Sequence, residues 1–351
     1  MKTRITELLG IKYPIIQAGM SYAAYPPLVA AVCEAGGLGI LGAQAMRAEE
    51  LREAIREVKA RTDKPFGVNF LPYHPDAEKV LDIMIEEKVA VASYGLGNPE
   101  MIIRKTKPHG IVNLPTIGAV RHALRAERDG AHAVILQGTE AGGHSSYVAT
   151  MVLLPMVTDA LSIPVVAAGG FCDGKGLAAA MAMGADGISM GTRFIVTQEN
   201  SVPDNIKQRF IQASENDTVI TDKVTGMRCR GLSNKLTELV ETQGTGFGIF
   251  KAISAARTMG KEFGVSLFMI LRSGMQMKDA YELEFSKMGF VSFGGDRIKD
   301  ALVGGDDYMG FMPCGQVCGR VNDIPTVSEL IERIMAEAEE ILSRLGALAK
   351  L

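Results

Sequence analysis

Short apolar segments alternate with amphipathic segments along roughly the first half of this 351-residue chain, and this alternation constrains its fold more than any other feature. The apolar segments have the length of buried strands, and the segments between them repeat with the period of a helix. Strands that are apolar throughout are typical of a parallel sheet covered by helices. Eight strands are predicted, at residues 14–18, 39–41, 66–70, 89–94, 110–114, 133–137, 165–169 and 187–191.

Eight β/α units are the number that closes a barrel, so the predicted fold is an α/β TIM (β/α)8 barrel. A doubly wound open sheet is the alternative. It would need a GxGxxG motif that opens a helix after the first strand, and residues 18–27 (AGMSYAAYPP) contain none. Helical periodicity is clearest at residues 51–60, 77–88, 119–130 and 176–184.

The regular alternation ends after residues 192–194, and the remaining chain is organised differently. Residues 198–300 combine glycine-rich tracts with helical segments and contain no further β/α repeat. In residues 326–346 the apolar side chains follow one face of a helix, which would complete the barrel. We therefore predict a barrel formed by residues 1–197 and 301–351. A mostly helical lobe, residues 198–300, is inserted between the last strand and the last helix and would cover the substrate.

Composition excludes several classes of partner. The formal net charge is −3 and the isoelectric point is about 6.0, so no basic surface for nucleic acid is expected. No apolar run approaches the length of about 18 residues that a membrane helix needs. The N-terminal segment MKTRITELLG lacks the apolar core of a signal peptide, which favours a cytoplasmic location. Five cysteines without a CxxC pair argue against a disulfide framework and a closed zinc site.

Residues 137–146 (QGTEAGGHSS) are the most informative local segment. They directly follow an apolar strand, and the carboxyl ends of parallel strands are where α/β proteins place their chemistry. Gly142 and Gly143 lack side chains, so a flat ligand can lie against the backbone while His144 projects over it. A glycine-rich turn with a surface histidine is the simpler interpretation of this segment alone. His144 is the candidate catalytic residue, and Gly142 and Gly143 are candidate cofactor-binding residues.

The residues that follow the other strands are small or neutral. Amide side chains among them can bind the edge of a heterocycle, and glycines after the seventh and eighth strands would expose backbone N–H groups to a phosphate. Flavin mononucleotide (FMN) is a planar cofactor with a phosphate and satisfies both requirements. No metal site is predicted, because these loops lack clustered carboxylates and histidines. The candidate FMN residues at the strand ends are Gly19, Met20, Asn69, Gln137, Gly169, Gly170, Gly191 and Thr192.

Six segments along the chain carry a family resemblance. They are QAGM (17–20), AGGLGI (35–40), KPFGVN (64–69), QGTEAGGH (137–144), PVVAAGGFCDG (164–174) and GADGISMGTRF (184–194). In order and spacing they resemble the nitronate monooxygenase (2-nitropropane dioxygenase-like) family, which includes FMN-dependent enoyl-acyl carrier protein reductases. The resemblance covers about residues 1–215 and returns at residues 310–321 (GFMPCGQVCGRV).

This resemblance implies a TIM barrel that binds FMN without a covalent bond. It implies that the residues at the strand ends surround the cofactor, that Gln316 approaches it from the tail, and that His144 is the catalytic histidine. Residues 216–309 depart from the family pattern. Because the lobe would shape the substrate pocket, this departure leaves the substrate open.

Two activities are compatible with these residues. In the favoured one, an alkyl nitronate is oxidised with O2 through the flavin, and His144 binds the nitro oxygens or acts as acid or base. In the alternative, NAD(P)H reduces the flavin, hydride passes to an enoyl thioester of acyl carrier protein or CoA, and His144 polarises the carbonyl or helps to protonate the enolate. No motif identifies a nicotinamide site. The expected partner is a small-molecule substrate in either case, and a homodimer is left open.

Overall fold

The computed structural model describes residues 1–72, 74, 76–242 and 288–348. Its centre is a sheet of eight parallel strands. In chain order they are β1 (Ile15–Gln17), β2 (Ile40–Gly42), β3 (Gly67–Phe70), β4 (Val91–Tyr94), β5 (Val112–Ile117), β6 (Val134–Gln137), β8 (Val165–Ala168) and β9 (Gly187–Met190), with β7 (Gly143–His144) lying outside this sheet. The spatial order is β1-β9-β8-β6-β5-β4-β3-β2.

The two strands at the ends of this order, β1 and β2, close the barrel. The main chain of Leu38, just before β2, accepts a hydrogen bond from the N–H of Gln17 and donates one to the carbonyl of Ile15, both 2.9 Å long. The buried side chain of Gln17 continues the contact, because its Oε1 accepts from the N–H of Ile40 (3.1 Å) and its Nε2 donates to the carbonyl of Ile40 (3.2 Å). One amide side chain thus takes the place of a main-chain peptide group in the ladder.

Apolar side chains fill the amino-terminal half of the barrel. Helix α1 (Arg4–Leu9) begins with a capping box formed by Thr3 and Thr6 and covers this end with Ile5 and Leu9. These two residues pack against inward-facing side chains of the strands, among them Ile16, Leu38, Ile40, Val91, Leu114, Ile135 and Val166. The opposite end of the barrel is therefore the one left open for a ligand.

Helices cover the outside of the barrel. They are α2 (Pro26–Glu34), α3 (Ala48–Arg61), α4 (Ala77–Glu86), α5 (Glu100–Thr106), α6 (Val120–Asp129), α7 (Thr150–Ala160) and α8 (Gly174–Ala182), and the last helix of the chain is α13 (Val327–Leu348). Helix α13 begins at Thr326, which forms a capping box with Glu329. It packs closely on α8, because a Cβ atom on Gly174 would lie 2.5 Å from the backbone nitrogen of Ala338. The last helix completes the barrel, as predicted.

The lobe lies in sequence between β9 and α13. Helix α9 (Thr192–Ile195) follows β9 directly, and the lobe contains α10 (Asp204–Gln212), β10 (Thr218–Thr221), β11 (Cys229–Leu232), α11 (Lys235–Thr242) and α12 (Met288–Leu302). Strands β10 and β11 pair antiparallel, and β11 also pairs antiparallel with β7. In addition to the predicted helices there is therefore a small three-stranded sheet, which the sequence analysis did not predict. Residues 243–287 of the predicted lobe lie outside the described residues.

The predicted barrel is confirmed, and its closure through β1 and β2 rules out the open sheet. All eight predicted strands are present, with ends that differ by up to three residues; β5 shows the largest difference and continues to Ile117. Within the described ranges, no helix combines the length and the apolar content needed to cross a membrane. The exact domain boundaries stay a prediction.

We expect Gln17→Leu to destabilise the barrel, because it leaves the N–H and the carbonyl of Ile40 buried without these partners. At about 1–3 kcal/mol for each group, the free energy of unfolding should fall by about 2–6 kcal/mol in urea titrations. Gln208→Leu, at an exposed position on α10, is the matched control and should change it little. Equal stabilities for the two variants would contradict this role of Gln17.

Candidate active site

Polar side chains line the barrel interior at the carboxyl ends of the strands. Asn69 lies beside Ser93 in the register of β3 and β4, and its Nδ2 donates to the Ser93 hydroxyl (3.2 Å). Gln137 Nε2 donates to the carbonyl of Gly142 (3.4 Å). The residue Ser189 is 2% exposed, and its hydroxyl has no hydrogen-bond partner in the described part of the chain. A planar ligand with polar edges, placed on this layer, would supply such a partner.

The segment after β1 runs against the same layer. A Cβ atom on Gly19 would lie 2.2 Å from the Cβ of Asn69, so only glycine allows this approach. Met20 follows, and its Sδ would lie 3.3 Å from a Cβ on Gly191. The fold therefore brings Gly19, Met20, Asn69 and Gly191 together, although they come from three separate strands.

The loops after β8 and β9 are neighbours because these two strands pair. Gly169 and Gly170 both have positive φ angles, of 96° and 87°, which favour glycine. Gly191 precedes the first turn of α9, which begins at Thr192, and the Thr192 hydroxyl accepts a hydrogen bond from the N–H of Gly315 (3.0 Å). Adjacent glycine-rich turns with free backbone N–H groups are suited to binding a phosphate.

Glu140 ties the loop after β6 to its surroundings. Its carboxylate accepts hydrogen bonds from the N–H (3.0 Å) and the hydroxyl (2.8 Å) of Thr150 at the start of α7. Its carbonyl accepts from the N–H of Gln316 (3.0 Å). A Cβ on Gly142 would lie 2.6 Å from the backbone nitrogen of Gly315. The tail, which is the segment around Gly315 and Gln316 that precedes α13, therefore lies directly on this loop. Gln316 therefore lies beside the loop, and its predicted approach to FMN stays a prediction.

His144 lies on β7, opposite Cys229 of β11. Its ring is half-buried, and its Nε2 lies 3.2 Å from the hydroxyl oxygen of Thr225. Burial lowers the pKa of His144 to about 4, because the surrounding protein disfavours the charged form. The imidazole is therefore neutral near pH 7, and it can donate a hydrogen bond at one nitrogen and accept one, or a proton, at the other.

Two arginines of the lobe bind the same loop. Arg228 donates from Nη2 to the Thr139 hydroxyl (3.0 Å) and from Nε to the Ser146 carbonyl (3.2 Å), and its guanidinium stacks over the ring of Tyr147. Arg230 donates from Nε to the Thr139 carbonyl (3.1 Å). Neither arginine forms an ion pair with a carboxylate of the described residues. Both therefore place positive charge beside the loop that carries His144.

The structure thus collects the predicted site residues at one end of the barrel. That they contact FMN stays a prediction. Sequence analysis missed Ser93 and Ser189, whose alternation with apolar neighbours in β4 and β9 is a usable signal for an inward position. It also did not predict that Glu140 connects the loop after β6 to Thr150 and to Gln316 through hydrogen bonds. For Thr225 and Arg228 no local signal exists, because their contacts depend on how the lobe pairs with a loop about eighty residues earlier.

Comparison with known proteins now identifies the family. The sequence profile of a protein family described as nitronate monooxygenase matches residues 2–337. The chain belongs to the nitronate monooxygenase family. The predicted resemblance is confirmed. The matched range also includes residues 216–309, which depart from the family pattern carried by the six segments.

Three proteins that are similar to this chain carry different names. A (3aS,4S,5R,7aS)-5-hydroxy-7a-methyl-1-oxo-octahydro-1H-indene-4-carboxyl-CoA dehydrogenase of Rhodococcus jostii is 42% identical over 99% of both chains. A probable nitronate monooxygenase of Staphylococcus saprophyticus is 37% identical over 67% of this chain and 79% of the relative. The structure of FabK from Thermotoga maritima aligns with a TM-score of 0.81 and 36% identity, covering 99% of each chain.

Membership in the nitronate monooxygenase family makes the protein an FMN-dependent oxidoreductase, as predicted. The TIM barrel is shared with the FabK structure. The names of the relatives divide between different substrates, so family membership by itself leaves the reaction of this protein open.

The glycines of the His144 loop allow a matched test of the site. Gly142→Ala should destabilise the protein by about 1–3 kcal/mol, because its Cβ would overlap the backbone of Cys314 and Gly315. Gly143→Ala meets open space, and only its φ of 71° opposes the change, so a loss of about 1–2 kcal/mol is expected.

Urea unfolding of the two holoproteins measures this difference, and the FMN retained after gel filtration gives a second readout. Only Gly142→Ala should also lose cofactor, because it separates the tail from the loop. Equal cofactor loss in both variants would argue against that contact.

Proposed function

We propose that this protein is an FMN-dependent oxidoreductase of acyl-CoA thioesters, which removes or adds hydrogen at the α and β carbons next to the thioester carbonyl. The observation that carries the proposal is the 42% identity, over 99% of both chains, to a relative named as a carboxyl-CoA dehydrogenase. The probable nitronate monooxygenase covers only 67% of this chain. The alternative prediction of an enoyl-thioester reductase describes the same bond change in the opposite direction.

The residues at the open end of the barrel fit FMN. Asn69, Gln137 and Ser189 would face the polar edge of its ring system, and the unpartnered hydroxyl of Ser189 is a group that a ligand would satisfy. The backbone N–H groups of the turn Gly169–Gly170 and of the first turn at Gly191–Thr192 would hold the phosphate. When bound, the flavin supplies the hydride acceptor or donor.

His144 would handle the proton in this reaction. Dehydrogenation breaks two C–H bonds: the β hydrogen leaves as hydride, and the α hydrogen leaves as a proton to the imidazole. In the reverse direction the imidazole returns that proton to the α carbon. A neutral histidine performs the first role, and its lowered pKa keeps it neutral at physiological pH. NAD(P)H as the source of electrons for the reverse direction stays a prediction.

Nitronate oxidation is the second candidate. The family name and the Staphylococcus saprophyticus relative favour it. A nitronate is an anion, however, and an imidazole that is held neutral offers it no charge. The guanidinium groups of Arg228 and Arg230 already donate hydrogen bonds to Thr139, Ser146 and Thr218. We therefore rank the thioester reaction first.

Anaerobic mixing distinguishes the candidates. The yellow holoenzyme is mixed separately with cyclohexanecarboxyl-CoA, with NADH, with NADPH and with propyl-2-nitronate, and the flavin absorbance is followed. Bleaching by the acyl-CoA, or by a nicotinamide followed by recovery on addition of crotonyl-CoA, supports the thioester reaction. Bleaching by the nitronate alone would instead support the second candidate and overturn the first.

His144→Gln should lower kcat by about 10²–10⁴-fold, the usual contribution of a general acid or base. FMN should remain bound, because the glycine turns and the polar layer do not involve this side chain. His122→Gln, at an exposed position on α6, is the control and should leave kcat unchanged. A wild-type rate in His144→Gln would remove this residue from the mechanism.

The pH profile provides a further test. If the neutral form of His144 is required, kcat/KM should stay level down to about pH 5 and fall only near the pKa of about 4, and not near 6.5. The same depressed pKa makes the folded state lose stability as pH falls from 6.5 through 4, because the unfolded chain takes up the proton first. Circular dichroism at each pH separates the two effects. An acid limb near pH 6.5 in folded enzyme would contradict this protonation state.

A further inference from the structure

Thr225 is buried in the turn between β10 and β11, with 3% of the residue exposed. Two contacts of its hydroxyl oxygen involve Met227 and His144. It lies 2.9 Å from the carbonyl oxygen of Met227, which can only accept a hydrogen bond, and 3.2 Å from Nε2 of His144. The sequence analysis assigned no role to Thr225, and the reaction proposed above does not use it.

A threonine hydroxyl has one hydrogen to donate. Because the Met227 carbonyl has none, the hydrogen between these two oxygens comes from Thr225. The contact to His144 must then run in the other direction, with Nε2–H donating to the hydroxyl oxygen. A neutral imidazole carries a single N–H, so its Nδ1 bears a lone pair. Within the described residues, Nδ1 of His144 has no hydrogen-bond partner.

The position of Thr225 is set by close packing. A Cβ on Gly294 of α12 would lie 2.7 Å from Cγ2 of Thr225 and 2.8 Å from the carbonyl oxygen of Val224, so this helix touches the turn directly. The neighbouring Phe293 is buried in an apolar cluster with Val224 and Cys229. Cys229 is in turn the residue that pairs with His144 across the small sheet. Thus α12 packs against the turn that carries the Thr225 hydroxyl, and β11 pairs with the strand that carries the His144 imidazole.

We propose that Thr225 is a positioning residue that holds His144 in the tautomer with the proton on Nε2, so that Nδ1 is the nitrogen that exchanges a proton with the substrate. The assignment of the tautomer depends only on this geometry. The assignment of Nδ1 as the exchanging atom rests on the proposed function. The lobe therefore selects which nitrogen is basic, in addition to any part it has in binding the substrate.

The tautomer is measured on the resting FMN holoenzyme, labelled with 15N-histidine, by two-bond 15N–1H correlation spectra. The His144 signal is the one lost in His144→Gln. We expect the Nε2–H pattern in the wild type and in Thr225→Ser, which keeps the hydroxyl. Thr225→Val, which is nearly isosteric, should populate the Nδ1–H form. His74 is an internal reference, because its Nε2 contacts the Met46 carbonyl and its Nδ1 accepts from the Asp76 N–H, which fixes its tautomer in every variant.

Kinetics give the second readout. Thr225→Val should lower kcat by about 10–100-fold, by analogy with the range seen when the outer hydrogen-bond partner of a metal-binding histidine is removed, while KM and bound FMN stay close to wild type. Thr225→Ser should restore the rate. A structural role alone would instead lower stability or cofactor content and leave the tautomer of the folded enzyme unchanged.

If Thr225→Val folds poorly, substitutions at two neighbouring glycines of α12 provide a second test. Gly294→Ala should displace Thr225 and change the His144 signal, whereas Gly295→Ala, whose Cβ meets open space, should not. An Nδ1–H signal in the wild type, or the Nε2–H form retained in Thr225→Val, overturns the proposal whatever the rates are. Failure of the acyl-CoA assay alone would affect only the proposed substrate, because the spectra need no substrate.

Discussion

The antiparallel pairing of Gly143–His144 with Cys229–Arg230 is the contact on which the site depends. It joins a loop of the barrel to a strand of the lobe and places the catalytic candidate in a short sheet. A histidine on an isolated glycine-rich loop would be free to turn towards solvent. Here the backbone of His144 is held in a strand and its ring is held by Thr225, so both the direction and the protonation of the imidazole follow from one interface.

Burial and charge act in different ways around this interface. The surrounding protein disfavours the charged form of the imidazole and lowers its pKa to about 4, whereas the guanidinium groups of Arg228 and Arg230 donate hydrogen bonds to hydroxyl and carbonyl oxygens. The result is a neutral proton-handling group beside fixed positive charge.

The barrel and half of the site could be predicted from the sequence, for a common reason. Parallel strands place their carboxyl ends at one edge, so reading the residues after each apolar run finds Asn69, Gln137 and the glycines of β8 and β9 without knowledge of contacts. The contacts of the lobe could not be predicted in this way. Strands β10 and β11 are four residues long each, and their pairing with β7 joins distant segments, so the roles of Thr225 and Arg228 could not be derived from local periodicity.

The insertion of the lobe between β9 and α13 has an evolutionary consequence. Both ends of the inserted segment are anchored, at a strand and at a helix of the barrel, so sequence change inside it would leave the candidate FMN residues that follow β1, β3, β6 and β8 in place. Thr225, which contacts the imidazole of His144, nevertheless belongs to that segment. A relative that acquires a different lobe would keep its redox centre but receive a new substrate surface and a new proton-handling geometry together, which links specificity and acid–base chemistry in the descent of these enzymes.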